Sequence, residues 1–331
     1  MGKIYDFFSG TNNKSGKGIT KKQVEFDKKL GFGFFFKLMK MRLGKFSASN
    51  LIFALCNIFF FIALFGLSGT LDDYTTTAAD PLYAQISAIA KNDNGPAIAA
   101  LYSAFCASAS RRVFSTISKV LMYSAFALVF TFGLSTIGLV YNIRNVCTGE
   151  HIYTWYDYFY AIKRNFKQGI IISVLDAGII VMLVYDLIVY SASSSASFIN
   201  LVFFYAIIAI SAIYYVMRFY IYLQLVTCKM SIGKMIKNSF LLTALGIKRN
   251  LVGVLAVIVV VIVYAYIYVL LPQVAIILFC MFMFSLLTYI GVYCAYPVLK
   301  KYVIDPYYEQ HPEERPEDPW STDEQVFVDR G

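Results

Sequence analysis

Long apolar stretches separated by short polar segments dominate the pattern of this sequence. Crossing a hydrocarbon core of about 30 Å takes roughly 20 helical residues, and residues 251–271 form the clearest run of that length, with no charged side chain. The predicted membrane-spanning helices cover residues 48–68, 120–140, 170–190, 198–217, 251–271 and 274–295. Six spans are our prediction and five the alternative count. Residues 97–118 could also extend the second helix beyond the membrane.

Three polar segments have the period of amphipathic helices instead. They are residues 32–45, 152–169 and 230–247. In the second of them, Trp155, Phe159, Ile162 and Phe166 recur at steps of four, three and four, which places them on one helix face. An apolar face beside basic residues suits the membrane surface. The alternative, which we weigh equally, is that the apolar faces of these helices pack against the ends of the spans.

The composition places the chain in a membrane rather than in water. Of its 331 residues, 59% are hydrophobic and 15% are charged, whereas soluble domains are about 45–50% apolar and about 25% charged. A soluble fold of this size could not cover so much apolar surface. The sequence therefore predicts an all-α fold, a polytopic membrane helical bundle.

Lysines and arginines gather on one side of the predicted bundle, as they do on the cytoplasmic side of membrane proteins. Residues 1–47 contain eleven of them against three acids, and the loops at 141–169 and 218–250 are also basic. On the other side, residues 69–110 have one lysine against four aspartates, and residues 191–197 have no charge. Both termini and the amphipathic helices are therefore predicted to be cytoplasmic.

This topology divides the chain into three regions. They are a basic cytoplasmic N-terminal segment with an interfacial helix (1–47), a six-helix membrane domain (48–304) with an extracytoplasmic loop at 69–118, and an acidic cytoplasmic tail (305–331). The tail holds nine acids and two arginines, so that the formal charge of +9 for the chain leaves about +16 on the rest. We expect the tail to be extended. The positive body favours a bilayer with anionic headgroups as its partner, and we predict no nucleic acid.

Three ionisable side chains fall within or at the ends of the predicted spans: Asp176, Asp186 and Arg218. A charge at the bilayer centre costs about 2.5–3.5 kcal/mol on insertion scales, so such residues usually have partners. The short serine-rich turn makes the third and fourth spans a hairpin, in which an offset of about 9 Å leaves Asp176 within reach of Arg218. That pair could be a structural clamp, or a substrate or proton site, and Arg218 could instead snorkel to the interface. Asp186 could lie at the interface or line a polar mouth with the serines of 191–197.

The motifs that enzymatic chemistry requires are absent from the sequence. Its two histidines are far apart, and its six cysteines show no Cys-x-x-Cys spacing. Residues 15–18 lack the first glycine and the Ser or Thr of a phosphate-binding loop. We therefore predict no enzyme, no catalytic residue, no cofactor and no metal site.

One stretch of the second amphipathic segment is more distinctive: Trp155, Asp157 and Phe159, followed by Asn165 and Lys167. Together with residues 135–145, 150–151, 237–244 and 300–308, it resembles the YesL-like bacterial membrane proteins, a family of unknown function. The loop at 69–118 departs from shorter members and looks like an insertion. The resemblance implies a bacterial plasma-membrane protein, often encoded near genes for sugar uptake and polysaccharide degradation. It supplies no catalytic or binding residue.

Two functions follow from these observations. In the first, which we predict, the protein is an accessory or regulatory subunit that binds membrane transporter or sensor subunits linked to carbohydrate uptake. In the second, it is an autonomous transporter of small solutes such as sugars, acting alone or as a homo-oligomer. The tetrapeptide Ile-Lys-Arg-Asn at 162–165 and again at 247–250 favours the second, because transporters often contain internal repeats. The repeated tetrapeptide is also explained by chance, or by the need of both spans for basic residues where they enter the membrane.

Overall fold

The computed structural model describes residues 31–76, 85–86, 88–89, 95–150, 152–193 and 197–314. In chain order its elements are α1 (Phe32–Met41), α2 (Leu43–Cys56), α3 (Ile58–Leu67), β1 (Asp73–Thr76), α4 (Pro96–Ala109), β2 (Ser110–Val113), α5 (Thr116–Tyr123), α6 (Leu128–Thr148), α7 (Thr154–Arg164), α8 (Phe166–Ser193), α9 (Phe198–Thr227), α10 (Ile232–Leu245), α11 (Ile247–Leu270), α12 (Pro272–Leu278), α13 (Phe284–Leu299) and α14 (Asp305–Gln310). A 3₁₀ turn joins α5 to α6, and π-helical turns at Phe279–Met283 and Lys300–Ile304 flank α13.

Five helical stretches are long and apolar enough to cross a membrane, by length and composition. They are Thr116–Thr148, Phe166–Ser193, Phe198–Thr227, Ile247–Leu270 and Pro272–Gln310. The count rises to six if α2 and α3, which are bent at Asn57 and cover the predicted first span, are counted as one span. The prediction of an all-α polytopic membrane bundle is confirmed. The two-stranded antiparallel ladder of β1 and β2, with Asp73 opposite Val113, was not predicted.

The last span continues beyond the boundary that the hydropathy pattern indicated. It passes through the second π-helical turn into α14, and a short 3₁₀ turn at Pro312–Glu314 follows. Residues 305–310 and 312–314 are therefore helical, where we expected the beginning of an extended tail. Residues 315–331 of that tail, and residues 1–30 of the N-terminal segment, lie outside the described part.

Two compact units make up the chain: Ala54–Gly133, and Met1–Phe53 together with Leu134–Gly331. In the first of these, α3 packs closely against α5. A Cβ added at Gly66 would lie 2.9 Å from Cβ of Leu121 and 3.0 Å from the carbonyl oxygen of Ser118. This close approach needs a residue without a side chain at position 66.

The second unit has its core at the ends of the spans that adjoin α7 and α10. Residues 219–226 of α9 are all buried, and eight consecutive residues cover every side of a helix. The apolar windows that qualify α9 and α11 as spans are, by contrast, only 6% buried. Because lipid tails solvate apolar side chains as well as protein does, these windows suit a hydrocarbon environment.

Of the predicted amphipathic helices, α7 packs one face against protein and leaves another exposed. Thr154, Tyr158 and Ala161 are buried. Trp155 and Phe159, the first members of the predicted apolar stripe, are 57% and 40% exposed, and their rings stack with centroids 6.2 Å apart. Packing against the spans therefore uses residues beside the predicted stripe, while Trp155 and Phe159 of the stripe are uncovered.

The helix α10 repeats this division of faces. Met235, Ser239 and Leu242 are its buried residues. Ile236 and Phe240, which their spacing of four residues places on one face of the predicted amphipathic helix 230–247, are exposed. Both helices thus present uncovered apolar side chains next to a membrane-spanning helix.

The two Ile-Lys-Arg-Asn tetrapeptides have different places in these helices. Asn165 follows the last residue of α7 and precedes the span α8. Ile247, by contrast, is the first residue of the span α11, so that Asn250 lies within it. The two copies are therefore one helical turn out of register with respect to the spans that they introduce.

Candidate intramembrane polar site

A buried ion pair joins the antiparallel helices α8 and α9. Nε of Arg218 donates to both carboxylate oxygens of Asp176, at 2.7 Å and 2.9 Å. Nη2 of Arg218 also donates to the hydroxyl of Thr136 in α6 at 3.4 Å. Asp176 is 3% exposed. The structure thus brings together two of the three ionisable residues that the sequence placed in the spans.

Two tyrosines complete the hydrogen bonding of this carboxylate. The hydroxyl of Tyr214 donates to Oδ1 of Asp176 at 2.8 Å, and that of Tyr222 donates to Oδ2 at 2.7 Å. The Arg218 guanidinium also lies 5.2 Å from the centroid of the Tyr222 ring, within cation–π distance. Neither tyrosine was predicted from the sequence. Their spacing of four residues on either side of Arg218 was the available signal, because it places all three on one face of α9.

The level of each residue in the hairpin explains the contact. Tyr214 stands about as far from the connecting turn as Asp176 does, whereas Arg218 is one helical turn further from it. One turn is about 5.4 Å along the axis, and the long arginine side chain spans that distance by pointing back towards the turn. The vertical offset that the sequence predicted is therefore bridged by Arg218.

The carboxylate of Asp176 is enclosed by hydrogen-bond donors. Each oxygen of Asp176 accepts two hydrogen bonds, so the carboxylate has nearly its full complement of donors. The two charges neutralise each other where desolvation would make either one costly alone. A solute or a proton would have to displace a tyrosine or Arg218 to reach the carboxylate. The cluster connects α6, α8 and α9.

Asp186, the third predicted residue, does not belong to this cluster. It is half-buried and lies in α8, ten residues after Asp176 and therefore about 15 Å along the helix axis. It makes no hydrogen bond or ion pair within the described residues. Ser191 and Ser193 direct their hydroxyls to carbonyls of their own helix at 2.9 Å. Residues 194–196 of the proposed polar mouth lie outside the described part.

Two residues of the distinctive stretch that begins at Trp155 form hydrogen bonds at the ends of α7. Oδ2 of Asp157 accepts a hydrogen bond from the backbone N–H of Tyr153 at 2.7 Å, at the N-terminus of the helix. At the other end, Nδ2 of Asn165 donates to the carbonyl of Ala161 at 2.9 Å. Lys167 is exposed in the first turn of α8. Trp155 and Phe159 form the exposed stacked pair described above.

A second polar contact, absent from the sequence reasoning, holds the last span. Asn50 in α2 is fully buried, and its Nδ2 donates to the carbonyls of Phe279 and Cys280 at 3.2 Å and 2.6 Å. Its Oδ1 accepts from the N–H of Ser285 at 2.9 Å. A π-helical turn replaces the usual i→i−4 hydrogen bonds of a helix, and backbone polar groups need partners inside a membrane. Asn50 adds hydrogen bonds to three backbone groups in and beside this turn.

One ion pair lies outside the spans, in the unit Ala54–Gly133. Asp72 accepts from Nε of Arg112, and its other oxygen accepts from the N–H of Ser115 at 3.1 Å. A hydrogen bond from the Ser118 hydroxyl, supported by Arg112, lowers the pKa of the Asp72 carboxyl below its ordinary value. These contacts tie the segment before β1 to the N-terminus of α5.

Among the described residues, no group of three or more His, Cys, Asp or Glu side chains could hold a metal ion.

The fold and this cluster define a multi-pass α-helical membrane protein. Residues 116–187 match the profile of a family described as a protein of unknown function, DUF624. The matched stretch runs from α5 into α8 and includes Asp176 and Asp186, while Arg218 lies beyond it. No curated protein and no solved structure matches the chain.

Proposed function

We propose that this chain is a non-enzymatic accessory or regulatory subunit of a membrane complex linked to carbohydrate uptake. It would lie in a bacterial plasma membrane, with both termini in the cytoplasm, as the distribution of lysine and arginine predicts. We propose in addition that the chain is YesL-like. The match of residues 116–187 to a family of unknown function supports this proposal. That resemblance supplies the link to carbohydrate.

The observation that carries the proposal is the closed environment of Asp176. Its carboxylate is bonded by Tyr214, Arg218 and Tyr222, all from the same chain. Intramembrane charges are the first place to seek a substrate or proton site, and here the charge is used to hold helices together. This favours a protein that acts by binding others.

The exposed stripe of α10 offers one surface for such binding. Ile236 and Phe240 are uncovered, and Lys234 and Lys237 are exposed beside them. The same helix is anchored from its other face, where Ser239 accepts a hydrogen bond from Nε2 of Gln224 at 2.8 Å. A partner docking here would meet a fixed amphipathic helix.

Purification from native membranes in mild detergent, with quantitative mass spectrometry, tests the proposal. The tagged chain is compared with a Phe240→Glu variant, which places a charge on the exposed stripe and leaves the buried face intact. We expect stoichiometric importer or sensor subunits with the unaltered chain and their loss with the variant. A homo-oligomer without other membrane subunits would contradict the accessory function.

Autonomous transport is the second candidate, and irregular helices favour it. The π-helical turn at Phe279–Met283 interrupts the last span, and the helix break at Asn57 interrupts the first. Transporters place substrate and ion sites at discontinuous helices, and π-helical turns are frequent at functional sites. In this function Asn50 would hold the interrupted segment.

Flux measurements separate the two functions. The purified chain is reconstituted into vesicles and supplied with labelled sugars, beside the Asn50→Ala variant. A transporter would show saturable uptake that the variant loses while it still elutes as a monodisperse species. An accessory subunit would show no uptake in either form.

A further inference from the structure

The exposed face of α7 is aromatic along most of its length. Trp155 stacks with Phe159, and Tyr156 stacks with Tyr160, with ring centroids 6.2 Å and 6.1 Å apart. All four side chains are exposed, from 40% for Phe159 to 71% for Tyr156. Large aromatic side chains that are ordered by stacking yet uncovered indicate contact with something other than water.

Basic side chains continue this face towards the C-terminal end of α7. Lys163, Arg164 and, one turn into the next helix, Lys167 are exposed. Nη2 of Arg164 donates to the carbonyl of Val226 at 2.6 Å, and its guanidinium lies 5.5 Å from the centroid of the Tyr160 ring. Nε and Nη1 of Arg164 make no hydrogen bond within the described residues. An arginine held in this way can still bind an anion.

The acidic groups near this face are already engaged. Asp157 accepts the N–H of Tyr153, and Glu150 pairs with Arg144 at 3.0 Å. Asp157 lies in the first turn of α7, away from Lys163 and Arg164 in the last turn, and with Lys167 the basic residues outnumber it. The free charge of the face is therefore positive.

The opposite face fixes α7 against a spanning helix. The hydroxyl of Tyr158 donates to the carbonyl of Ser135 in α6 at 2.7 Å, and the Tyr158 ring lies over Gly138, where a Cβ would come within 2.5 Å of Cδ1. Only Asn165 separates α7 from the span α8. The exposed face is thus held beside the point where a span enters the membrane.

We propose that this face binds the surface of an anionic membrane. The aromatic rings would lie at the level where headgroups meet acyl chains, which is where amphipathic aromatic side chains concentrate. Lys163, Arg164 and Lys167 would bind lipid phosphates, which arginine can hold by two hydrogen bonds. This proposal depends on the membrane-spanning fold and holds for either proposed function.

The tryptophan content permits a direct measurement of depth. The chain has two tryptophans, Trp155 and Trp320, so a Trp320→Phe variant isolates the fluorescence of Trp155. The full chain is reconstituted into vesicles of phosphatidylcholine and phosphatidylglycerol that carry bromine either near the headgroup or near the end of the acyl chain. We expect strong quenching by the shallow bromine, weaker quenching by the deep one, and little by aqueous iodide.

Two results would overturn the proposal. Strong quenching by iodide without quenching by bromine would show that the face lies in water. Protection from both quenchers would show that protein covers it, as a second copy of the chain would. The matched control is Val261→Trp in a chain that also carries Trp155→Phe and Trp320→Phe. Val261 is exposed in the middle of α11, and the fluorescence of this variant should be quenched more by the deep bromine.

The charge requirement is tested with the same probe. Brominated phosphatidylglycerol should quench Trp155 more than brominated phosphatidylcholine at equal content, since the basic residues concentrate anionic lipid around it. Lys163→Gln with Lys167→Gln should lower that preference by about fivefold per charge removed, without disturbing a contact inside the protein. Lys119→Gln, which removes an exposed lysine of α5, should leave it unchanged. Equal quenching by the two lipids in the unaltered chain would refute the role of the basic end.

Discussion

Replacing Asp176 by asparagine tests whether the polar cluster is a clamp. The substitution keeps the size of the side chain and one acceptor oxygen, so it removes charge without creating a cavity. Arg218 would lose its counter-ion, while Tyr214 or Tyr222 would lose its acceptor. The side chain of Arg218 is only 15% exposed, which limits its access to water.

The expected magnitude lies between two reference values. Breaking a buried ion pair in a soluble protein costs about 3–5 kcal/mol, whereas polar contacts between membrane helices average about 0.6 kcal/mol. The 15% of the Arg218 side chain that stays exposed lowers this cost in part. We expect Asp176→Asn to lower the free energy of unfolding by about 2–3 kcal/mol, and Asp176→Ala by about one more.

Reversible unfolding in mixed micelles, followed by circular dichroism, measures this loss. The matched control is Asp186→Asn, which removes a carboxylate of the same helix that has no partner in the described residues and should change stability by less than about 0.5 kcal/mol. A neutral double variant, Asp176→Asn with Arg218→Gln, should recover part of the loss, because no charge is then left unpaired. Equal stability of the Asp176 and Asp186 variants would refute the clamp. Loss of solute flux with full stability would make Asp176 a transport residue.

Three further predictions concern other contacts. Gly138→Ala should lower the melting temperature by several degrees because its Cβ would collide with the Tyr158 ring, whereas Gly178→Ala, with nothing within 4 Å, should not; thermal scans of both measure this. Asn50→Ala should cost about 1–3 kcal/mol in micelle unfolding, because it removes the side-chain hydrogen bonds to the carbonyls of Phe279 and Cys280 and to the N–H of Ser285. Asp72, whose folded pKa is below its ordinary value of 3.8, should stabilise its unit above that pH and progressively less as the pH falls through the folded value. Thermal scans against pH should show that dependence reduced in Asp72→Asn.

The number and extent of the spans were largely predictable from the sequence, because membrane helices need about 20 apolar residues whatever they pack against. Breaks within a span could not be predicted from the sequence. The first apolar stretch contains Asn50 and Asn57, but an average over a window hides two polar residues among many apolar ones. Their effect depends on distant partners: Asn50 bonds to a turn in the last span, and Asn57 accepts a hydrogen bond from Thr131 at 3.3 Å.

The candidate site was predictable to the extent that helix geometry decides it. Counting residues from the turn placed Asp176 and Arg218 within reach of each other, because the rise per residue of a helix is fixed. The same counting does not give rotation about the helix axis, which decides whether a tyrosine donates to the carboxylate or faces lipid. Asp186 shows the converse: its helix and depth were predictable, but the facing residues of α9 offer it no partner among those described.

The position of the cluster bears on the choice between the two proposed functions. Asp176, Arg218 and Thr136 connect three spans just where α9 becomes enclosed by protein. A transport site there would have to open by moving α8 or α9 relative to the most tightly packed part of its unit, and closely packed cores resist continuous deformation. A clamp needs no such movement, since its contribution is greatest when its donors stay in place. The packing around the cluster therefore favours the proposed accessory function over the proposed transport function.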